Sequence, residues 1–387
     1  MTEAISPEAR WPFRYFQLAL LVFIASFLLL PTAKMVNNVY YVGIAIPALI
    51  ALATGHGRYL IRSPIVLLWT LFLCWRLIAV GASGEFQDLK HLTYVTLFLL
   101  VVGYLTKPDV FRSTAFMRSM FWVVALYIVC AVLYYSISGR YAPGQHILWL
   151  LSRMDGSIYT SMWLTACFFL ATPVWIKERR YLEFALAVTV SLILLAYVLQ
   201  CRSALLAWLV VGMLMSAHSA SASPRVRISA ALVGIAIAVT FAVALATVPQ
   251  ISALVQRADS GRFEIWTILL GEWQSCGWLT GCGLGHKSIQ TLAGGYPILH
   301  PHNIYLTLGL TTGVPGLLLF LAIAVTTLRL AWTHRDPWGL YLTAGLVALF
   351  FDGSTIIDNP DERWLLVLLP MALIANPYGR ARPPTHG

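Results

Sequence analysis

His300 and His302 flank Pro301 immediately before an apolar run long enough to cross a bilayer. Among side chains, imidazole titrates closest to neutral pH, so a histidine held at a membrane–water boundary is a candidate general base. Asn303 follows at once and is a good N-cap, which puts His302 at the entrance of a helix starting near Ile304. Arg202 and Arg262 offer a second kind of chemistry. Arg202 follows an apolar run directly, and Arg262 opens an amphipathic segment. A guanidinium is permanently charged, and its fork matches phosphate oxygens. Two of them at a lipid surface suggest an anionic headgroup, with a diphosphate as a good match. Asp352 closes the penultimate apolar segment and is the acid expected to orient the His302 imidazole. His300, Asn303, Arg140, Arg153, Arg257 and Lys287 are lower-grade candidates, each with an ordinary reading as a hydrogen-bonded or snorkelling side chain. The acids Asp358, Asp361 and Glu362 read as a solvated loop, and Arg76 as a snorkel near a helix end.

These residues must be positioned by membrane helices. The 387-residue chain is 59% hydrophobic and only 11% charged, with a mean hydropathy of +0.76. That composition excludes a soluble domain and predicts an all-α, polytopic helical bundle. The net charge of +10 comes from basic residues scattered in ones to threes, which argues against a nucleic-acid partner. Apolar runs of spanning length predict about twelve transmembrane helices, near 15–31, 35–54, 63–81, 90–105, 116–137, 157–176, 181–199, 203–217, 227–248, 303–330, 337–351 and 363–376. The step at Gln200-Cys201-Arg202-Ser203 is either a turn between two helices or a break within one. No signal-peptide cleavage site is evident before Pro31, so the first helix is expected to remain uncleaved.

Orientation follows from the positive-inside rule. With the N-terminus in the cytoplasm, the cytoplasmic segments hold Arg10, Arg14, Arg58, Arg62, Lys107, Arg112, Arg118, Lys177, Arg179, Arg180, Arg225, Arg227, Arg329, Arg335, Arg380 and Arg382. Both termini are then cytoplasmic, and the segment 249–302 is a long loop on the opposite face. The expected division is helices one to nine over 1–248, this loop over 249–302, helices ten to twelve over 303–376, and a tail over 377–387. Within the loop, Phe263, Trp266, Leu270 and Trp273 recur with helical spacing, predicting an amphipathic helix that lies on the bilayer or caps the bundle. Gly277, Gly281, Gly283 and Gly285 make a tight turn whose spacing fails both the P-loop and the dinucleotide fingerprint. Cys276 and Cys282 have the option of a disulfide in an oxidising compartment. Cys74, Cys130 and Cys167 read as packed hydrophobes. No clustered carboxylate–histidine metal site is evident on the outer side.

Four stretches carry a resemblance. They are Cys201-Arg202-Ser203-Ala204-Leu205-Leu206, Gly261-Arg262-Phe263-Glu264-Ile265-Trp266, Gly281-Cys282-Gly283-Leu284-Gly285, and His302-Asn303-Ile304-Tyr305-Leu306 followed by Gly313-Val314-Pro315-Gly316. In this order around one large loop, they make the chain resemble the O-antigen ligase and polymerase superfamily of bacterial inner-membrane glycosyltransferases. The resemblance covers roughly 190–320 and implies a GT-C-like fold with the active site on the periplasmic face. It implies an undecaprenyl-diphosphate-linked glycan as donor and, for a ligase, a hydroxyl of the lipid A–core oligosaccharide as acceptor. It also implies that neither nucleotide nor metal is needed, with no cofactor. Two arginines and a histidine are the functional residues of such enzymes, and the matching positions are Arg202, Arg262 and His302. An O-antigen polymerase or a protein-directed oligosaccharide transferase is the alternative. Segment 138–156 is short, and the matching arginines lack an Arg-x10-Gly pattern, so ligase is preferred. A transporter or flippase is the competing class, but inverted repeats and buried midplane charges are not evident.

Overall fold

The computed structural model describes residues 10–55, 63–154, 156–219, 261–292 and 294–379. Among these the regular structure is entirely helical. Eight helices are long and apolar enough to cross a membrane. They are α1 (Arg10–Leu29), α2 (Ala33–Ala53), α3 (Pro64–Ser83), α4 (Asp88–Leu105), α5 (Thr114–Ile137), α6 (Ser157–Lys177), α7 (Tyr181–Val198) and α10 (Ile304–His334). Three shorter apolar helices fall where spans are expected: α8 (Arg202–Ser219), α11 (Trp338–Ala348) and α12 (Trp364–Ala375). The amphipathic helix α9 is Arg262–Cys276. The expected span at 227–248 lies outside the described residues, as do Arg58, Arg62, Arg225, Arg227, Arg257, residues 249–260 and the tail from 380.

Helix α6 is the centre of the bundle. It is apolar around most of its circumference and packs against α5, α7, α8 and α11. A helix without a polar face has to be buried. Its Ser161 and Thr172 hydroxyls donate to backbone carbonyls four residues back, at 2.6 and 2.8 Å, which removes their polarity from the core. Cys167 is buried here as expected, whereas Cys74 and Cys130 lie on the outside of the bundle.

Contacts between connecting segments sort them onto two ends. At one end Arg112 pairs with Asp336 at 2.8 Å, Arg118 with Glu178 and Glu183, and Asn376 donates to the Val102 and Thr106 carbonyls. At the other, Arg153 N donates to the Leu30 carbonyl, Gln200 Nε2 to Gly144, and Arg153 pairs with Glu362. His91 lies 3.8 Å from Asp358 at this second end. The first group holds the basic segments assigned to the cytoplasm by charge counting, and the second holds the segments assigned opposite them.

Two expectations about charge are corrected at the second end. Asp361 and Glu362 are buried, not solvated, while Asp358 is only half-buried; the neighbouring Arg363 is buried as well. Arg363 donates to Asp361 and Ser354, and Arg153 grips Glu362 with both terminal nitrogens. A charge leaves water only when paired and hydrogen-bonded; Asp361 finds its partner two residues on, but the partner of Glu362 is 209 positions earlier, a pairing the sequence does not show. Arg76 is also buried, only 3% exposed, and binds Asp88 at 2.8 Å rather than reaching for lipid headgroups.

Candidate functional site

The site begins with the capped end of α10. Asn303 Oδ1 accepts from the amides of Tyr305 and Leu306 at 2.9 and 3.0 Å, satisfying two of the four free donors at a helix start. His302 precedes the cap with φ +50°, a left-handed conformation that non-glycine residues rarely adopt. Such strain persists only where the surroundings hold it, and here they do so from two sides. The Trp266 indole donates to the Pro301 carbonyl at 2.9 Å, and the Ile304 amide donates to the Leu349 carbonyl at 3.1 Å.

That second bond brings the end of α11 beside His302. His302 Nδ1 lies 3.2 Å from Asp352 Oδ1, which also accepts from the Gly353 amide at 2.8 Å. The other oxygen, Oδ2, is 4.0 Å from Arg262 Nη2. His302, Asp352 and Arg262 therefore form one string, assembled from α10, the α11–α12 connection and the first residue of α9. Burial alone raises a carboxyl. At Asp352 the His302 hydrogen bond and the Arg262 charge outweigh burial and hold it below the usual carboxylate range.

Arg202 is the first residue of α8 and is half-buried. The α7–α8 step is a true break: α7 ends at Val198, Gln200 takes φ +46°, and α8 starts afresh. Burial pushes the thiol of the adjacent Cys201 up, and Asp352 adds to that rise, so the start of α8 lies within electrostatic reach of the site. Helix α8 packs directly on α11.

Of the lower-grade candidates, Asn303 is the buried cap. Arg153 is committed to Glu362, while Arg140 and Lys287 are exposed. The His300 ring lies against that of His302, tilted by 55° with centroids 3.9 Å apart. Burial and then His302 push its imidazole down. One ligand atom from each of His300, His302 and Asp352 lies within 4.8 Å of the others, so a carboxylate–histidine cluster does exist. Asp352, fifty residues from His302, is the acid the sequence offered to orient that imidazole; what the sequence did not show is that His300 joins the pair.

Helix α9 caps the end of α10, but not with the face its aromatic spacing suggested. Ile265, Leu269 and Trp273 are buried against Ile298, Leu306 and Leu310, whereas Phe263 and Leu270 are exposed. Trp266 spans the two, packing its ring on Phe350 and Phe351. The glycine turn locks α9 to α10. Helix α10 is kinked at Gly313 (φ +68°) just before Pro315, which frees backbone groups inside an apolar bundle. Three of them gain partners: Thr312 O accepts from the Trp75 indole at 2.8 Å, Val314 N donates to Trp278 O at 2.8 Å, and Leu310 O accepts from Cys282 N at 2.6 Å. Gly281 (φ +69°) is so close that a Cβ would sit 2.6 Å from the Leu310 carbonyl. Cys276 and Cys282 are joined by a disulfide that ties the end of α9 to this turn.

Residues 186–321 match the family model described as O-Antigen ligase. The matched segment contains Arg202, Arg262 and His302, and Asp352 lies beyond it. The chain is also similar to an O-antigen ligase of Pseudomonas aeruginosa, at 24% identity over 367 residues, covering 87% of this chain and 84% of that protein. The helices and the matched segment together make this an integral membrane protein.

Proposed function

We propose that this protein is a glycosyltransferase of the bacterial inner membrane that joins a glycan from undecaprenyl diphosphate to a sugar hydroxyl of lipid A–core oligosaccharide. The single observation that carries the reading is the His302–Asp352–Arg262 string, which sets a base and an anion-binding group around one carboxylate. The family match and the similarity to the P. aeruginosa ligase support a glycan donor and a lipid A–core acceptor.

The roles follow from the atoms. Asp352 holds the proton of His302 on Nδ1, which leaves Nε2 as the accepting nitrogen. Nε2 takes the proton from the acceptor hydroxyl, and that oxygen forms a bond to the anomeric carbon. The bond from this carbon to the diphosphate oxygen breaks, and its electron pair leaves with the phosphate. Arg262 and Arg202 neutralise the charge that develops there. The diphosphate is a good leaving group and needs no general acid. One displacement inverts the anomeric centre. Neither metal nor ATP enters any of these steps.

In this reading both termini are cytoplasmic, and residues 249–302 form a periplasmic loop between helices one to nine (1–248) and ten to twelve (303–376). Exposed Phe263 and Leu270 on α9 then rest in the outer leaflet. The test is reconstitution in liposomes with a lipid-diphosphate glycan and two acceptors in parallel, lipid A–core and a second lipid-linked glycan. Glycosylated lipid A–core is the expected product. Extension of the lipid-linked glycan alone would make the protein a polymerase, and movement of the donor across the bilayer without transfer would make it a flippase.

A further inference from the structure

The transfer reading leaves His300 without a task, yet His300 completes a ligand set. Its Nδ1 is buried and makes no hydrogen bond. One atom each from His300, His302 and Asp352 falls within a 4.8 Å span. Two imidazoles and one carboxylate suit zinc and its transition-metal neighbours, whereas magnesium and calcium prefer all-oxygen sites.

The distances fit such an ion. Zinc bonds nitrogen and carboxylate oxygen at about 2.0–2.2 Å, so two ligands at the tetrahedral angle stand roughly 3.3 Å apart. His302 Nδ1 and Asp352 Oδ1 are already separated by 3.2 Å. That spacing already suits two bonds to one such ion, with the imidazole tilting to aim its lone pair at it. His300 must close by at most roughly 1.5 Å to reach the same spacing, and its ring is only half-buried, which leaves it room to turn. The carboxylate is fixed from behind by the Gly353 amide on Oδ1 and by Arg262 beside Oδ2, the kind of outer support that orients metal ligands.

We propose that His300, His302 and Asp352 bind one transition-metal cation of the zinc class, and that its binding shuts off transfer. The inhibitory half rests on the transfer reading. A neutral imidazole carries a single N–H proton. When a cation occupies Nδ1 that proton moves to Nε2, the nitrogen that must accept the proton of the acceptor hydroxyl. The cation thus blocks the base without touching the arginines. Cys276, Cys282 and His286 form a second cluster, but its two sulfurs are bonded to each other, so it offers no thiolate.

Binding is read directly by titrating Co2+ into the purified full-length protein, carrying no polyhistidine tag, and recording the visible d–d bands. One saturable equivalent is expected, displaced by one equivalent of Zn2+. The bands should vanish in Asp352→Asn, weaken in affinity by about tenfold or more in His300→Ala, and persist in His286→Ala. Transfer is measured separately in liposomes. Zn2+ should lower the wild-type rate, EDTA should restore it, and His300→Ala, scaled to its own zinc-free rate, should need about tenfold more Zn2+ for the same loss. No saturable cobalt site, or one that survives both substitutions, overturns the site. Zinc that binds without slowing transfer overturns the inhibition. A protein that transfers no glycan under any condition refutes the transfer reading instead, and the cobalt titration still decides the site.

Discussion

Trp266 holds Pro301: its indole donates to the Pro301 carbonyl across 2.9 Å, while its ring lies against Phe350 and Phe351. One side chain of α9 thereby fixes both segments that meet at the site, the one carrying His302 and the one carrying Asp352. Trp266→Phe keeps the ring and removes the hydrogen bond, at a cost of about 1–3 kcal/mol if the carbonyl stays buried. We expect a tenfold fall in kcat, of order 1.4 kcal/mol, with insertion and donor KM little changed. A rate equal to wild type would show that Trp266 does not position the histidine.

His302→Ala should cost about 100- to 10,000-fold in transfer, the range for loss of a general base. Asp352→Asn should cost less, because an amide can still meet Nδ1 but no longer favours a proton there. Single-turnover rates on both variants, with expression in the membrane as control, check the order. Wild-type transfer by His302→Ala would remove it from the mechanism.

Arg262→Ala should abolish transfer while leaving the fold inserted, and Arg262→Lys should recover little of it. Lysine keeps the charge but lacks the fork that meets two phosphate oxygens. Donor-lipid binding and rate, compared across the two variants, separate charge from geometry. Full activity in Arg262→Lys would show that charge alone suffices.

Stability should depend on pH through Glu362. Burial, reinforced by Asp361, lifts its carboxyl from the usual 4.5 to about 7 in spite of Arg153. The folded value exceeds the unfolded one, so the stability linked to this group is complete below about pH 4.5 and is lost as pH rises through about 7. A shift of this size is worth on the order of 3 kcal/mol. Between about pH 5 and pH 8 the Tm of the detergent-solubilised protein should therefore fall more in wild type than in Glu362→Gln. Parallel slopes would mean that Glu362 is ionised throughout.

A reporter inserted within 270–295 should score on the periplasmic side. A cytoplasmic score would invert the bundle and move the site to the wrong face for lipid-linked glycans.

The helices were legible because a bilayer imposes a length and a composition on whatever crosses it. That is why α1 to α7 and α10 fall where apolar runs predict, and why the cap at Asn303 could be read from one residue type. The buried face of α9 was not legible. Phe263, Trp266, Leu270 and Trp273 and the set Ile265, Leu269 and Trp273 both satisfy helical spacing, and only contact with Ile298, Leu306 and Leu310 selects the second set. The same holds for Glu362. An acid in a run of polar residues reads as solvated until Arg153, more than two hundred positions earlier, is placed beside it.

By itself the sequence determined the material of the site. It supplied a histidine beside a helix cap and arginines at apolar boundaries, all of them local properties of neighbouring residues. Tertiary structure alone decided that Arg262 approaches the other oxygen of the carboxylate that meets His302. It also decided that His300 stands near enough to join them as a ligand. These are contacts between residues 50 and 90 positions apart, closed by the kink at Gly313, the turn at Gly281 and the indole of Trp266. Residue type fixes what a group can do, whereas packing fixes which other groups it can do it with.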